Sequence, residues 1–142
     1  MALRALLIFV LCSAAMAAGG RWRVQYAHQG KAESLRIADL KFASSRRGVA
    51  VGDLMAGRRS RSVALLTGDG GGSWEMVPLA ESPLSLFLLN ERAGWVVTAK
   101  GVWKTADSGR NWRRLPGNRA TSHARRVWFQ DENSGWLVGS QK

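Results

Sequence analysis

The sequence contains few residues of the kinds that carry redox or metal chemistry. Cys12 is its single cysteine, which excludes an intrachain disulfide and any site built from several thiolates. There is one tyrosine, Tyr26, and there are two histidines. His28 and His123 each stand alone, without a paired carboxylate or the spacing of metal ligands. We therefore expect no metal ion and no cofactor.

Acidic residues are also scarce, with 10 Asp and Glu against 21 Lys and Arg and a net charge of +11. Charge of this size steers a protein toward anionic partners, although a basic surface that only aids solubility is the alternative. Basic residues occur in pairs and small groups. Arg58, Arg59 and Arg61 are the candidate partner-binding residues, because we expect a long hairpin to present them to solvent.

No long apolar segment is present. The apolar run Ala5–Leu11 is too short to span a bilayer, follows Arg4, and precedes small residues at Ala15 and Ala17. This pattern predicts a signal peptide at residues 1–17 and a periplasmic or secreted chain at 18–142, a retained membrane anchor being the alternative. Cleavage would remove Cys12, and export argues against nucleic acid as a partner.

The main feature of the sequence is an internal repeat. Two eight-residue motifs, TGDGGGSW at Thr67–Trp74 and TADSGRNW at Thr105–Trp112, begin 38 residues apart. A second motif places a large apolar residue six positions before a glycine that opens a strand-like run. It occurs three times, at Phe42 and Gly48, at Leu88 and Gly94, and at Phe129 and Gly135.

Four short strands in about 40 residues are typical of a β-propeller blade. We predict an all-β chain, a partial β-propeller of about two and a half four-stranded blades with Asp-box hairpins. The blades span residues 35–78, 84–115 and 124–142, the last incomplete, and residues 21–26 form an orphan closing strand. The predicted strands are Leu35–Phe42, Val49–Asp53, Ser62–Thr67 and Trp74–Val77, then Leu84–Leu89, Trp95–Thr98, Val102–Thr105 and Trp112–Leu115, then Arg126–Phe129 and Trp136–Gly139, with blade links at Ser82–Pro83 and Pro116–Gly117.

The chemistry of an Asp box is structural. Its aspartate can accept hydrogen bonds from the backbone of its own turn, its glycine permits a positive φ, and its tryptophan can lie under the loop. The two aspartates stand in separate repeats, which does not suit a shared acid–base or metal site. We expect a structural role and no catalysis for these motif residues: Thr67, Asp69, Gly71, Trp74, Thr105, Asp107, Gly109 and Trp112.

Seven tryptophans are many for 142 residues. Trp95 and Trp136 directly follow the motif glycines, and we expect both to pack between adjacent blades. Trp103 and Trp128 are also expected in the core. An aromatic binding platform at the exposed ends of the array is the alternative.

The motifs FQDENSGWLVG at Phe129–Gly139 and TGDGGGSW at Thr67–Trp74 resemble those of the photosystem II assembly and stability factor family of Asp-box propellers. The resemblance covers nearly the whole mature chain. Members are seven-bladed rings that assist assembly of a membrane complex by binding proteins. It implies a non-enzymatic, protein-binding role, with a membrane-protein complex or an anionic surface as partner. Val49 and Ser108 depart from the pattern, which favours Trp and Gly there.

Two alternatives to a binding role fit the same motifs, a glycoside hydrolase and a chain without a function of its own. Sialidases, which are glycoside hydrolases, also carry Asp boxes on a propeller, but need converging arginines, an acidic residue and a tyrosine nucleophile, and Tyr26 is the one tyrosine. The chain is alternatively a truncated gene product without independent function. An incomplete array would expose apolar blade faces, so self-association that completes the ring is expected as well.

Overall fold

The computed structural model of the chain describes residues 23–30 and 32–140. The predicted signal peptide, residues 1–17, lies outside the described residues. Within those two ranges, no helix has the length and apolar character needed to cross a membrane.

The described chain forms two four-stranded antiparallel sheets and one two-stranded sheet, each in sequential strand order. The first blade contains β1 (Ser34–Phe42), β2 (Gly48–Ala56), β3 (Arg59–Thr67) and β4 (Glu75–Pro78). The second blade contains β5 (Pro83–Leu88), β6 (Gly94–Thr98), β7 (Gly101–Thr105) and β8 (Arg113–Arg114). The half-blade contains β9 (Ala124–Phe129) and β10 (Gly135–Gly139). The predicted all-β, partial propeller architecture is confirmed.

The glycine motif has a steric cause that is the same in all three sheets. Each motif glycine pairs across the first two strands with the large apolar residue six positions earlier. A Cβ on Gly48 would lie 2.7 Å from the Phe42 ring, and one on Gly135 would lie 2.6 Å from the Phe129 ring. Only glycine therefore lets the large side chain lie across the neighbouring strand.

Successive blades bury apolar side chains against each other. Between the first and second blades, Val49 and Val51 pack with Leu86 and Val96. Between the second blade and the half-blade, Trp95, Val97 and Val102 pack with Ala124, Phe129 and Leu137. Since side chains alternate along a strand, each blade directs one set of apolar residues backward and the other forward.

Two carboxylates fix the second blade against the first. Asp39 lies at a β-bulge in β1 and accepts a hydrogen bond from the Leu86 backbone N–H at 2.9 Å. Asp53 is buried in β2 and accepts from Ser62 Oγ at 2.9 Å and Ser82 Oγ at 2.7 Å. Burial alone would raise the pKa of Asp53, but these hydrogen bonds, with that from Arg36, outweigh it and lower the pKa.

Residues 23–26, the described part of the predicted orphan strand, form no strand, so that prediction is wrong there. A strand needs a neighbouring strand to satisfy its backbone groups, and this segment lies over the open face of the first blade instead. Gln25 and Tyr26 line a cleft of 850 Å³ on that face together with Phe42 and Trp74.

The link between the second blade and the half-blade contains one helical turn that the all-β prediction missed, α1 (Arg119–Ser122). Asn118 caps it, because its side-chain oxygen accepts a hydrogen bond from the Thr121 N–H at 3.0 Å. The predicted link at Pro116–Gly117 leads directly into this turn.

Candidate functional site

The first Asp-box loop is closed by its own side chains. Thr67 is buried, donates to Asp69 Oδ1 at 2.8 Å and accepts from the Gly71 N–H at 2.9 Å. Asp69 accepts from the backbone N–H of Ser73 at 2.9 Å and from its hydroxyl at 2.6 Å. Trp74 Nε1 donates to the Gly71 carbonyl at 3.2 Å, so the indole lies against the loop.

The second loop repeats these contacts. Thr105 donates to Asp107 Oδ1 at 2.9 Å and accepts from the Gly109 N–H at 3.0 Å. Asp107 accepts from the backbone N–H of Asn111 at 2.9 Å and from its side-chain amide at 2.7 Å. Trp112 Nε1 donates to the Gly109 carbonyl at 2.9 Å. Gly71 and Gly109 have φ values of 94° and 88°, which a residue with a Cβ rarely adopts.

These contacts keep both carboxylates ionised. Hydrogen bonds from the Ser73 hydroxyl and backbone hold the pKa of Asp69 well below its usual range. Burial alone would raise the pKa of Asp107, but hydrogen bonds from Asn111 and Thr105 outweigh it and lower the pKa. A carboxyl group with a lowered pKa and its oxygens occupied by its own loop is poorly suited to donate a proton in catalysis.

The two loops differ at four of their eight positions, among them Gly70 and Ser108. Gly70 and Ser108 both have positive φ, 76° and 65°, and Ser108 is the one non-glycine residue with positive φ in the described chain. Each donates its N–H to the loop between the first two strands of its blade, Gly70 to the Arg46 carbonyl at 2.8 Å and Ser108 to the Arg92 carbonyl at 3.0 Å. The box therefore supports the neighbouring loop in both blades.

The hairpin that carries the candidate arginines is shorter than predicted. The strands β2 and β3 continue to Ala56 and Arg59, leaving a turn of two residues, Gly57 and Arg58. Gly57 has a φ of 58°, typical of the first central position of a type II′ turn. The prediction of a long hairpin loop is therefore wrong. Arg59 and Arg61 lie in β3, because the backbone pairing of β2 with β3 continues past Leu54, the last buried residue of β2.

All three arginines remain exposed to solvent. The structure adds Lys100 to this region, since Arg61 and Lys100 line one cleft between the first two blades. Lys100 is the second residue of the β6–β7 turn, as Arg58 is of the β2–β3 turn, so aligning the repeats could have identified it. Arg114 donates to the Lys100 carbonyl. We call these five residues the basic rim: Arg58, Arg59, Arg61, Lys100 and Arg114.

Two acidic residues border the basic rim and have other partners as well. Glu33 accepts from Arg61 at 3.4 Å, and its other oxygen lies 3.2 Å from His28 Nε2. The expectation that His28 lacks a carboxylate partner is therefore wrong, because a turn from Gly30 to Glu33 brings Glu33 back to it. Glu81 accepts hydrogen bonds from the Thr98 hydroxyl and the indole of Trp103.

The tryptophans divide between the core and the exposed face of the half-blade. Trp95 is 1% exposed and stacks on Phe129 with ring centroids 3.8 Å apart, so its packing between blades is confirmed. Trp103 is half-buried. Trp136 is 59% exposed and its neighbour Trp128 is also exposed, so their predicted packing is wrong. Both point to the side of the half-blade on which the described residues place no further sheet.

Residues for a hydrolase are not brought together in the described chain. Tyr26 lies in the 850 Å³ cleft with Arg23, but the lining of this cleft includes no aspartate or glutamate. The described residues also contain no group of three or more His, Cys, Asp or Glu side chains placed to hold a metal ion. His123 follows α1 in the link.

No family model and no curated protein matches this chain. Among solved structures, it is similar to a chain described as "YCF48 bound to D1 peptide", with 22% sequence identity and a TM-score of 0.38. The similar region covers 63% of this chain and 44% of that one, so this chain spans less than half of that chain's length. The propeller-type architecture rests on the two four-stranded sheets and their repeated register.

Proposed function

We propose that this chain is an exported, non-enzymatic propeller module that binds an acidic segment of a partner protein, in a role like that of photosystem II assembly factors. The basic rim is the observation that carries this proposal. Two of its exposed cations, Arg61 of the first blade and Lys100 of the second, line one cleft, and the other three lie on the same hairpin as Arg61 or beside Lys100. Scattered surface charges that only aid solubility need no such convergence.

The five basic side chains of the rim outnumber the two acidic residues that border it, Glu33 and Glu81, so the net charge of this region favours an acidic ligand. Burial alone would raise the pKa of Glu81, but hydrogen bonds from Thr98 and Trp103, together with the charges of Arg114 and Lys100, outweigh it and lower the pKa. Glu81 therefore stays ionised and offsets part of the positive charge. Arg58 and Arg59 lie at the tip of their hairpin, where an anionic segment can reach both.

Export is supported by the N-terminal sequence. Arg4, the apolar run Ala5–Leu11 and the small residues Ala15 and Ala17 have the order of a secretory signal. A periplasmic or secreted location favours a protein or the surface of a membrane complex as partner over nucleic acid. Mass spectrometry of the chain recovered from the periplasm or medium should give a mature N terminus at residue 18.

Binding is favoured over catalysis because the conspicuous acidic residues already have structural partners. Asp69 and Asp107 bind their own loops, and Asp53 joins the first blade to Ser82. The sialidase alternative predicts turnover of a fluorogenic sialoside by the purified chain. Turnover that is lost in Tyr26→Phe would replace the binding proposal.

The binding test uses a fluorescein-labelled deca-glutamate peptide and fluorescence anisotropy at several salt concentrations. We expect Arg58→Glu/Arg59→Glu to weaken binding about tenfold, because each exposed charge contact contributes on the order of 0.5–1 kcal/mol. Binding should also weaken as salt increases. The matched control is Arg46→Glu/Arg92→Glu, which makes the same charge change on exposed loops at the other end of the blades.

The control separates a localised site from general attraction. If both double variants lose affinity equally, net charge alone attracts the peptide and the rim is not the site. Vesicles containing phosphatidylglycerol test the anionic-surface alternative. A loss confined to vesicle binding would assign the rim to lipid rather than to protein.

A further inference from the structure

The exposed outer faces of the first blade and of the half-blade carry the two halves of a contact that the chain already makes internally. Between the second blade and the half-blade, Trp95 stacks on Phe129 with an interplanar angle of 8°, and Phe87 lies 6.1 Å from both rings. One side of this contact follows a motif glycine in β6. The other side is Phe129 in β9, which pairs with the motif glycine Gly135 of β10.

The half-blade presents the forward half of this contact to solvent. Trp136 is paired with Trp128 across β9 and β10, as Trp95 is paired with Phe87 across β5 and β6. The rings of Trp136 and Trp128 lie 5.2 Å apart on the same face. The exposed face consists of Trp128, Trp136 and Val138, at the positions that Phe87, Trp95 and Val97 hold in the second blade.

The first blade presents the backward half. Phe42 is 45% exposed and pairs with Gly48, as Phe129 pairs with Gly135. Leu40 is exposed as well and is equivalent to Val127, which packs against the second blade. The face that the first blade directs away from the second is therefore apolar and matches the face by which the half-blade packs.

The exposed apolar residues of the first blade form a strip along β1 whose width also fits a half-blade. Ile37, Leu40 and Phe42 are exposed on β1, whereas Ala50 on β2 and Leu65 on β3 are buried. These residues line one cleft with Arg23, Gln25 and Tyr26 of the N-terminal segment. First strands adjoin in successive blades, since β1 contacts β5 and β5 contacts β9. The exposed strip is thus the part that a neighbouring sheet covers with its first strands.

We infer that this chain associates end to end with a second copy of itself, the half-blade of one copy packing on the first blade of the next. In this contact Trp136 of one copy stacks on Phe42 of the other, in the arrangement that Trp95 and Phe129 adopt within the chain. A second copy is the occupant because both complementary faces belong to one sequence and continue an interface that it forms already. The contact is independent of the basic rim.

This contact is heterologous, since it joins two different faces. Each copy bound through one face still offers the other, so association continues until a ring closes or a fibre grows. Exposed apolar patches of this kind are uncommon on proteins that remain monomeric.

Sedimentation equilibrium of the purified chain, from low to high micromolar concentration, tests the inference. We expect the wild type to associate, and Trp136→Ser and Phe42→Ser each to raise the dissociation constant at least about tenfold. Met55→Ser is the control, because Met55 is exposed on β2 outside both faces. Circular dichroism should show that all variants keep the β-fold.

Mixing the two variants gives the sharper result. Trp136→Ser retains an intact Phe42 face and Phe42→Ser retains an intact Trp136 face, so an equimolar mixture should form a dimer that neither variant forms alone. A wild type that stays monomeric throughout, association unaffected by either substitution, or variants that do not complement each other would each overturn the inference.

Discussion

Trp95 and Trp136 occupy the same position in their blades, yet one is 1% exposed and the other 59%. Both follow a motif glycine, and both pair with an aromatic residue on the preceding strand. What differs is the next sheet. Phe129 of the half-blade lies over Trp95 at 3.8 Å, while the described residues place no sheet over Trp136.

The comparison separates what a repeat encodes locally from what it obtains from its neighbours. Strand pairing and loop closure are local, because equivalent motif residues form equivalent hydrogen bonds in both complete blades. Burial is a property of two adjacent blades. A tryptophan in a repeat is therefore a core residue only where the following blade is in place.

The largest expected effect comes from truncating the two tryptophans separately. Trp95→Ala should lower the free energy of unfolding by about 3–5 kcal/mol, because it removes a buried indole together with its stacking contact with Phe129. Trp136→Ala should change the free energy by no more than about 0.5 kcal/mol in the monomer, as expected at an exposed position. Urea unfolding at low micromolar concentration, where association is least, measures both.

Similar losses for the two variants would contradict the comparison. They would mean that Trp136 is covered in solution even when the chain is dilute. Repeating both measurements at high protein concentration sharpens the comparison. Association through the half-blade should then increase the loss of unfolding free energy for Trp136→Ala but not for Trp95→Ala.

Most of the strand order could be predicted from the sequence because glycine and turn residues mark it. The strands β6 and β10 begin one residue before their predicted positions, at the motif glycines Gly94 and Gly135. The hairpin at Gly57 could not be predicted, since the residues between Leu54 and Ser62 lack an apolar alternation and pair only through their backbones.

The candidate site could be predicted only in part from the sequence. The sequence shows the charges of Arg58, Arg59 and Arg61, but not that Lys100 joins Arg61 at one cleft, because that depends on how the second blade packs on the first. The packing is fixed in part by Asp39 and Asp53, whose partners lie 47 and 29 residues away in sequence. Contacts over such separations leave no local pattern.

A second effect should be shared by the two complete blades. Asp69 and Asp107 have lowered pKa values in the folded chain, so the stability they contribute is fully present above the unfolded value of about 3.9. It is lost as the pH falls below that value toward their folded pKa values. Urea midpoints at pH 7, 5 and 3 should therefore decline on acidification, and less steeply in Asp69→Asn/Asp107→Asn. An unchanged slope in the double variant would assign the acid sensitivity to other carboxyl groups, such as the buried Asp53.

The smallest effect concerns Ser108, at which the second Asp box has a Cβ on a backbone of positive φ where the first box has Gly70. Ser108 has a φ of 65°, where a Cβ is strained, so Ser108→Gly should raise the free energy of unfolding by about 0.5–1 kcal/mol. The reverse change in the first box, Gly70→Ser, should destabilise the chain by more, because a Cβ there would also lie 2.8 Å from the Ser45 carbonyl oxygen.

Ala106→Gly is the control in the same loop as Ser108. Ala106 is exposed and does not have a positive φ, so this glycine should only destabilise, through the entropy of the unfolded chain. Thermal melts of the three variants measure these changes. A gain from Ala106→Gly equal to that from Ser108→Gly would show that the second loop prefers glycine in general, whereas opposite signs would trace the difference between the boxes to the backbone of Ser108.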